Sequence, residues 1–389
     1  MLAATAALLS AGMAFSSMAG TSVVGWGAGT FVANPPDTND VGQSEAPPGL
    51  TNAAQIAAGW LQSLAVKADG TLIGWGDNSL GQTSFFPPGA SNYVAVACGQ
   101  YFSLALRSDG TINAAGQSFF GETFVPVNLS NVVFIAAGFY HCLALKSDGT
   151  LAAWGGTGGV NYGQGTVPNG VSNVVAVAAG EYHNLILKAD GNLLAWGNNA
   201  TGQTNIPAGL SNVVAVAAGA GHNVALKLDG TVFAWGSNQY GQTNIPAGLS
   251  NVVAISSTAW HTLALKSDGT VIAWGAGSGS NADVDFGQNL VPPGLSNVIQ
   301  VAAGSYNSLA LIGAGPPAIQ TPLVQPTLAT NGFSVLVASR YGRVYQLQFK
   351  NSLNDTTWTS LPLAAGNGGL LRLTDPGIFA QRYFRVLQW

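Results

Sequence analysis

Along residues 211–249 the hydrophobic and polar positions fall into short blocks. SNVVAVAAG carries a continuous run of small and branched apolar residues, HNVALK alternates, and TVFAWG is a second short apolar stretch. Blocks of this length, bounded by Asn, Asp and Gly, are the size of strands and too short for helices. The same text starts over at Ser250 and had already run in nearly the same form from Ser172. A period of about 40 residues marks a solenoid or a propeller, whose repeats bury their apolar faces on their neighbours. The first block reads as an innermost, fully buried strand. The next two read as a hairpin joined at Asp229-Gly230, a two-residue turn that favours φ > 0 at both central positions. Gly241 to Ile245 reads as a weaker outer strand, and Pro246 suits an edge or a connection because it cannot donate to a ladder.

Two marks count the repeats. Trp-Gly occurs at Trp26, Trp75, Trp154, Trp196, Trp235 and Trp274, with a degenerate copy at Ala115-Gly116; small-residue triplets end at Gly59, Gly99, Gly138, Gly180, Gly219, the degenerate Thr258, and Gly304. The two sets are out of phase at the ends, since the first Trp-Gly has no triplet before it and the last triplet has no Trp-Gly after it. A closed ring uses such halves. If Ser22 to Gly27 pairs beside Ser308 to Ile312, the fragments complete one blade and no long edge is left exposed. The expectation is therefore all-β, a seven-bladed β-propeller over 21–313 closed by chain ends that share one blade. Successive turns then alternate between two faces. The Gly-x-x-His turns and the loops from Trp-Gly to Gly-Gln lie on the top, and the Lys-x-Asp-Gly turns lie on the bottom.

The period stops after Ile312, and Pro316-Pro317 begins a stiff linker. Five apolar-alternating runs follow, near Phe333 to Ala338, Val344 to Lys350, Trp358 to Leu361, Leu370 to Leu373 and Tyr383 to Leu387. They suggest a small β-sandwich over 314–389. At the other end, residues 1–20 are uncharged and rich in Ala and Leu, and Ser17-Met18-Ala19 resembles a small-x-small cleavage site, so this segment reads as a secretory signal peptide lacking a basic start. No later apolar run approaches the length of a membrane span.

Charge changes the picture in one respect. Only 7% of residues are charged, and the net charge of -4 divides unevenly: six basic and fourteen acidic residues before Gly315 give -8, and six basic and two acidic residues after it give +4. An acidic array with no basic stripe argues against nucleic acid as a partner. Two cysteines are too few for a disulfide scaffold. Cys98 and Cys142 occupy positions that are small elsewhere and read as buried thiols, with a bridge outside the cell as the alternative.

The phrase WGxNxxGQ followed by the triplet, GxxH, LALKxDG and the next Trp-Gly resembles the repeats of the regulator of chromosome condensation family. The likeness runs from Ser22 to Ile312 and implies a seven-bladed propeller with a shared closing blade. The repeats are shorter than those of the guanine-nucleotide-exchange members, and no insertion resembles a catalytic wedge. They are more similar to short-repeat secreted bacterial propellers such as the β-lactamase inhibitory protein, where GQT-x-x-P is also typical. That resemblance implies a protein-binding role.

All four histidines, His141, His183, His222 and His261, hold one repeat position, where the other copies have Gln62, Phe102 and Asn307. Recurrence at a scaffold position points to a hydrogen bond between blades. A metal would require several ligands at about 2.0–2.1 Å from one point, and one His per blade does not converge, so neither metal nor cofactor is expected. Asp69, Asp109, Asp148, Asp190, Asp229 and Asp268 all sit in hairpin turns that account for them. No carboxylate pair or nucleophile with its base remains, so no catalytic residue is assigned. Asn281-Ala282-Asp283-Val284-Asp285 could ligate calcium, but it lacks the Gly and the closing Glu of the twelve-residue loop.

The aromatic residues of the top face are more informative. The candidate binding residues are Trp60, Tyr101, Phe119, Phe120, Phe139, Tyr140, Tyr182, Tyr240, Trp260 and Tyr306, accompanied by Tyr162 and Phe286 in neighbouring loops. Trp60, Phe119 and Phe139 break the repeat pattern. Large exposed apolar groups mark binding surfaces, and Trp and Tyr are frequent anchors. The leading reading is a secreted, non-enzymatic propeller that grips a protein partner with this face, with inhibition of an extracellular enzyme as one version. The alternative is a carbohydrate-binding or hydrolytic propeller using the same face. A guanine-nucleotide exchange factor is third, because export would separate it from a cytosolic GTPase.

Overall fold

The computed structural model describes residues 20–28, 41–84, 90–277, 284–314, 317, 320–321, 324–329, 332–340, 343–352, 354–377 and 382–389. The signal-peptide reading of 1–20 falls almost wholly outside these residues, as do Asn281, Ala282 and Asp283 of the candidate calcium loop.

Among the described residues the array folds into seven three-stranded antiparallel sheets. In the repeat from Ser211 the strands are Val213–Ala218, His222–Lys227 and Val232–Gly236. The middle strand is buried at every position except its terminal Lys227. This explains its small and branched composition, since it is covered on both faces by neighbouring sheets. Val213, Leu226 and Trp235 share one apolar cluster with Val252, Ala264 and Trp274 of the next repeat. Entry to six of the seven described inner strands is made by an Asn at positive φ, such as Asn212 (φ 58), a conformation that Asn tolerates better than most residues. Its carbonyl accepts from the Leu228 N–H at 2.8 Å.

The amino-terminal strand Ser22–Gly27 pairs with Asn307–Ile312, which in turn pairs with Val298–Ala303. Trp26 Nε1 donates to the Gln288 carbonyl at 2.8 Å, and Thr21 Oγ1 to the Ala53 carbonyl at 2.8 Å. The segment thereby joins the last sheet and touches the first repeat.

One residue type joins successive sheets. In several of the Gly-Gln loops the backbone carbonyl of the Gln accepts a hydrogen bond from the Trp of the next sheet: Gln43 from Trp75 at 2.9 Å, Gln203 from Trp235 at 3.1 Å and Gln242 from Trp274 at 2.8 Å. The histidines add a second tie. His141 Nε2 lies 2.8 Å from Asn184 Oδ1, His183 Nε2 lies 2.9 Å from Asn223 Oδ1, and His261 Nε2 lies 2.8 Å from Ser308 Oγ. His222 bonds Ser257 Oγ at 2.9 Å. The histidines therefore serve as links between sheets, as their recurrence indicates. Gly219 is required beside one of them, because a Cβ there would stand 2.1 Å from His222 Cε1.

Two local expectations are corrected. Gly241 to Ile245 forms turns and no fourth strand. The donors that a ladder would need are taken by side chains: Thr243 N donates to Asn238 Oδ1 at 3.0 Å and Tyr240 N to Gln242 Oε1 at 2.7 Å. The Asp-Gly turn has positive φ at Gly230 alone. Gly230 N donates to the Lys227 carbonyl and Lys227 N to that of Thr231, so the loop is a three-residue connection. Asp229 Oδ1 instead accepts from the Thr231 N–H at 3.0 Å.

Beyond the array, strands Gln320–Thr321, Val344–Lys350, Thr359–Ala365 and Tyr383–Gln388 form one sheet, and Val324–Ala329, Gly332–Ala338 and Leu370–Asp375 form another. Val335, Val337, Tyr345, Leu347, Leu373 and Val386 make a common core. Two of these strands lie in the stretch read as a stiff linker. Two basic residues of this segment are engaged locally, with Arg382 paired to Asp375 and lying over Phe349, and Arg385 lying over Trp358. Leu363 N donates to the Ala189 carbonyl at 2.9 Å, and Val344, Leu387 and Trp389 join the apolar cluster around Val213, so this segment rests on the bottom of the array. Cys98 and Cys142 are free and buried, and burial pushes the Cys98 thiol up to about 12.

Two outcomes are expected. Trp26→Ala should lower stability by about 3–5 kcal/mol, since it empties a packed site and removes a buried hydrogen bond; denaturant melts that superimpose on the wild type would show the terminal strand to be dispensable. Burial lowers the pKa of His141 and His183 to about 4 and of His222 and His261 to about 3. Unfolded histidines take up protons near about pH 6.5, so stability is fully present above that pH and declines toward pH 4, where the turn aspartates are still charged. Melting temperatures between pH 7 and 4 would reveal this, and His183→Gln should flatten the slope.

Candidate functional site

The Gly-x-x-His turns and the Trp-Gly loops do share one face, because each loop begins by donating to the turn of its own sheet. Gln117 N bonds the Tyr101 carbonyl at 2.9 Å, Asn198 N that of Tyr182 at 2.9 Å, and Ser237 N that of Gly221 at 2.8 Å. Aromatic residues from the two sources consequently meet. Trp60 stacks on Tyr101 and on Phe139, with ring centroids 5.3 and 5.8 Å apart. Tyr101 meets Phe119 edge-on at 5.9 Å, Phe120 meets Tyr140 at 5.0 Å, and Tyr140 stacks on Tyr182 at 5.5 Å. On the other side Tyr306 lies 6.3 Å from Trp60 and 5.5 Å from Trp260, and Trp260 lies 6.3 Å from Tyr240. All ten candidates thus form one connected network, extended by Tyr162 on Tyr182 and Phe286 on Tyr306.

They do not contribute equally to the surface. Phe119 is 57% exposed and Tyr162 51%, whereas Phe139 and Tyr306 are only 7% and 6% exposed. The reading of these last two as contact residues is corrected: neighbouring rings cover them, and they support the layer above. Trp60, Tyr101, Phe120, Tyr140, Tyr182, Tyr240 and Trp260 are half-buried.

The residue after each triplet borders the centre of this face. Trp60, Phe139 and Glu181 line a narrow axial cavity together with Gly59, Gly219 and Ala259. Backbone bonds run from one such residue to the next sheet, Glu181 N to the Gly219 carbonyl at 3.3 Å and Ser305 N to that of Gly59 at 2.9 Å. Glu181 was missed among the sequence candidates, although it is the sole charge at a position held elsewhere by Trp60, Gln100, Phe139, Ala220, Ala259 and Ser305. Burial pushes its carboxyl up to about 7, against a hydrogen bond with Tyr182. Tyr140 and Tyr182 are shifted upward by burial and then by the Glu181 charge.

A second carboxylate has a structural role. Glu122 replaces the Gln of the Gly-Gln mark, is 2% exposed, and accepts from Phe120 N at 2.8 Å as the glutamines do in their loops. An ionised Glu cannot reproduce the second bond, in which Gln203 Nε2 donates to Asn198 Oδ1 or Gln164 Nε2 to the Val160 carbonyl. Burial accordingly raises the Glu122 pKa. In the candidate calcium loop, Asp285 Oδ1 accepts from Gly277 N. Among the described residues no group of three or more His, Cys, Asp or Glu is placed to hold a metal ion, and no helix is long and apolar enough to cross a membrane.

Repeated three-stranded sheets, joined by one recurring set of side-chain ties and carrying aromatic loops on one face, define a repeat protein of the propeller type. The chain carries six regulator of chromosome condensation (RCC1) repeats, the model of that repeat family matching residues 53–82, 93–122, 132–164, 174–203, 213–242 and 252–282. Similar solved structures include Prp20p of Saccharomyces cerevisiae, described with binding properties toward Gsp1p and histones, at 19% identity and a TM-score of 0.60 over 77% of this chain and 93% of that one. Human WBSCR16 is similar at 20% identity and a TM-score of 0.58, over 75% of this chain and 98% of that one. The ectodomain of the receptor kinase CR4 of Physcomitrella patens gives 18% identity and a TM-score of 0.54, over 71% and 76%. These likenesses concern the fold. No curated protein matches the chain by sequence.

Glu122→Gln should stabilise the protein by about 1 kcal/mol at neutral pH by restoring the missing donor. A carboxyl whose folded pKa is raised contributes stability at low pH and loses it as pH rises through the folded value. The gain should therefore vanish below about pH 4; equal gains at pH 7 and pH 3.5 in denaturant melts would overturn this account.

Proposed function

We propose that this chain is a non-enzymatic protein-binding propeller whose seven sheets act as the blades of a closed ring and whose aromatic top face receives the partner. Closure is supported by the pairing of Ser22–Gly27 with Asn307–Ile312 and by the Gln300 side chain, which accepts from Ile56 N at 3.3 Å and donates to the Ile56 carbonyl at 3.2 Å. The observation that carries the functional reading is the continuous ring network crowned by the exposed Phe119. Aromatic surface of this extent, held rigid by its own stacking, forfeits little side-chain entropy on association. The bottom face is a poorer candidate, since it repeats the same short hairpins and part of it is covered by the carboxy-terminal sheets. Those sheets fit a compact β-sandwich module. Export is part of the same reading, resting on the apolar segment 1–20, and inhibition of a secreted enzyme is the version suggested by the short repeats.

The test is capture of a partner from culture supernatant by the wild type and by surface variants. Trp60→Ala and Phe119→Ala should each weaken binding by about 1–4 kcal/mol, while Lys146→Ala and Lys227→Ala on the bottom should change it little. Losses confined to the bottom variants would reverse the assignment of faces, and retention on a glycan array through the same aromatic residues would favour carbohydrate.

A further inference from the structure

We propose that the axial mouth of the top face, at Glu181, takes a lysine or arginine side chain presented by the protein partner. This rests on the partner-binding reading and adds the chemistry of the contact. The first observation is the distribution of charge. All six basic residues of the array, Lys67, Arg107, Lys146, Lys188, Lys227 and Lys266, end their middle strands on the bottom face. Five of them pair there with the Asp two residues on, at 3.1–3.7 Å, and Lys188 acts electrostatically on Asp190. The described top loops hold Asp77, Glu122, Glu181 and Asp285 and no cationic side chain to balance them.

The second observation is the surroundings of Glu181. It stands where the aromatic network borders the axis, beside the stacked rings of Tyr140 and Tyr182, whose interplanar angle is 26°. On the following two sheets the equivalent positions are Ala220 and Ala259, and the turn that would bring an aromatic residue between Tyr182 and Trp260 carries Gly221. The ring is therefore open on that side. The third observation is a half-satisfied polar group in the same circle: the Gln100 side chain, at the position equivalent to Glu181, is 3% exposed and hydrogen-bonds Tyr140, while its Oε1 accepts no hydrogen bond. A carboxylate, an unused carbonyl oxygen and phenol rings together supply acceptors and π-faces, the combination that suits an ammonium or guanidinium group. An apolar side chain placed there would seal the carboxylate from water without pairing it, and an acidic one would repel it.

Proton linkage gives the site a signature. Burial holds the free carboxyl near neutrality, about 7, and a bound cation would draw it down, so binding releases a proton and tightens as pH rises through neutrality. The experiment titrates the intact chain with an oligo-arginine peptide and with a glycine-serine peptide of equal length, by calorimetry at pH 8 and pH 5.5. The arginine peptide should bind more tightly at pH 8, Glu181→Gln should weaken it about tenfold and remove the pH dependence, and Asp229→Asn on the bottom should leave it unchanged. Equal affinity in Glu181→Gln, equal loss in Asp229→Asn, or equal binding of the neutral peptide would each overturn the proposal. A captured protein partner that needs Phe119 but is indifferent to Glu181→Gln would overturn this inference and leave the proposed function standing. Glu181-dependent arginine binding, with Phe119→Ala silent toward every partner, would do the reverse.

Discussion

The structure depends on one carbonyl per repeat. The Gln of a Gly-Gln loop folds over its own sheet and places its backbone oxygen where the next sheet supplies a Trp N–H, an Asn amide or both: Gln43 receives Trp75, Gln203 receives both Trp235 and Asn223, and Gln164 receives Asn184. The same Asn accepts from the histidine of the preceding sheet. A buried carbonyl left without donors would cost on the order of 1–3 kcal/mol, so each loop is held in place by its neighbour as firmly as by its own strands. Small twisted sheets with three strands would be marginal alone. Tied in this way, each becomes stable only in the company of the next.

The same constraint explains how degenerate positions survive. Where His is replaced, the substitutes at two of three sites still reach across: Gln62 donates to the Gly99 and Phe102 carbonyls, and Asn307 to that of Gln43. Phe102 replaces the tie by packing and is buried to 1%. Where Trp is lost at Ala115, the small side chain is itself buried and the neighbouring sheet keeps its apolar contacts. Trp196 retains the residue but leaves its Nε1 unpaired, next to the longer loop that contains the turn Gly158–Val160. Ties are exchanged among chemistries while the spacing of sheets is kept.

Much of this was legible because a repeat states its own constraints several times. The strands, the shared sheet at the chain ends and the linking role of histidine all follow from marks recurring in register. What was not legible depends on competition for backbone donors or on depth. Gly241 to Ile245 has strand-like text, but Asn238 and Gln242 use their side chains to take the N–H groups a ladder would need. Asp229-Gly230 has the text of a two-residue turn, but Asp229 spends its carboxylate on Thr231 and stays at negative φ. Phe139 and Tyr306 match the exposed aromatics in type, and only the packing of Trp60 over the axis separates them. The strands 320–321 and 324–329 were hidden by a proline-rich context that reads as linker.

The division between scaffold and surface follows the same geometry. Positions that tie one sheet to the next are fixed by their partners, so they repeat, and the side chains there are buried and neutral at physiological pH. The residue after the triplet contributes its backbone to the axial bonds and is not needed for its side chain, which is why that position runs through Trp, Gln, Phe, Glu, Ala and Ser around the array. Variation in a repeat protein is informative where the backbone does the structural work and the side chain does not. By that argument the centre of the top face is where a chain built from near-identical units becomes asymmetric, with bulk and charge gathered from Trp60 to Glu181 and small residues from Ala220 to Ser305.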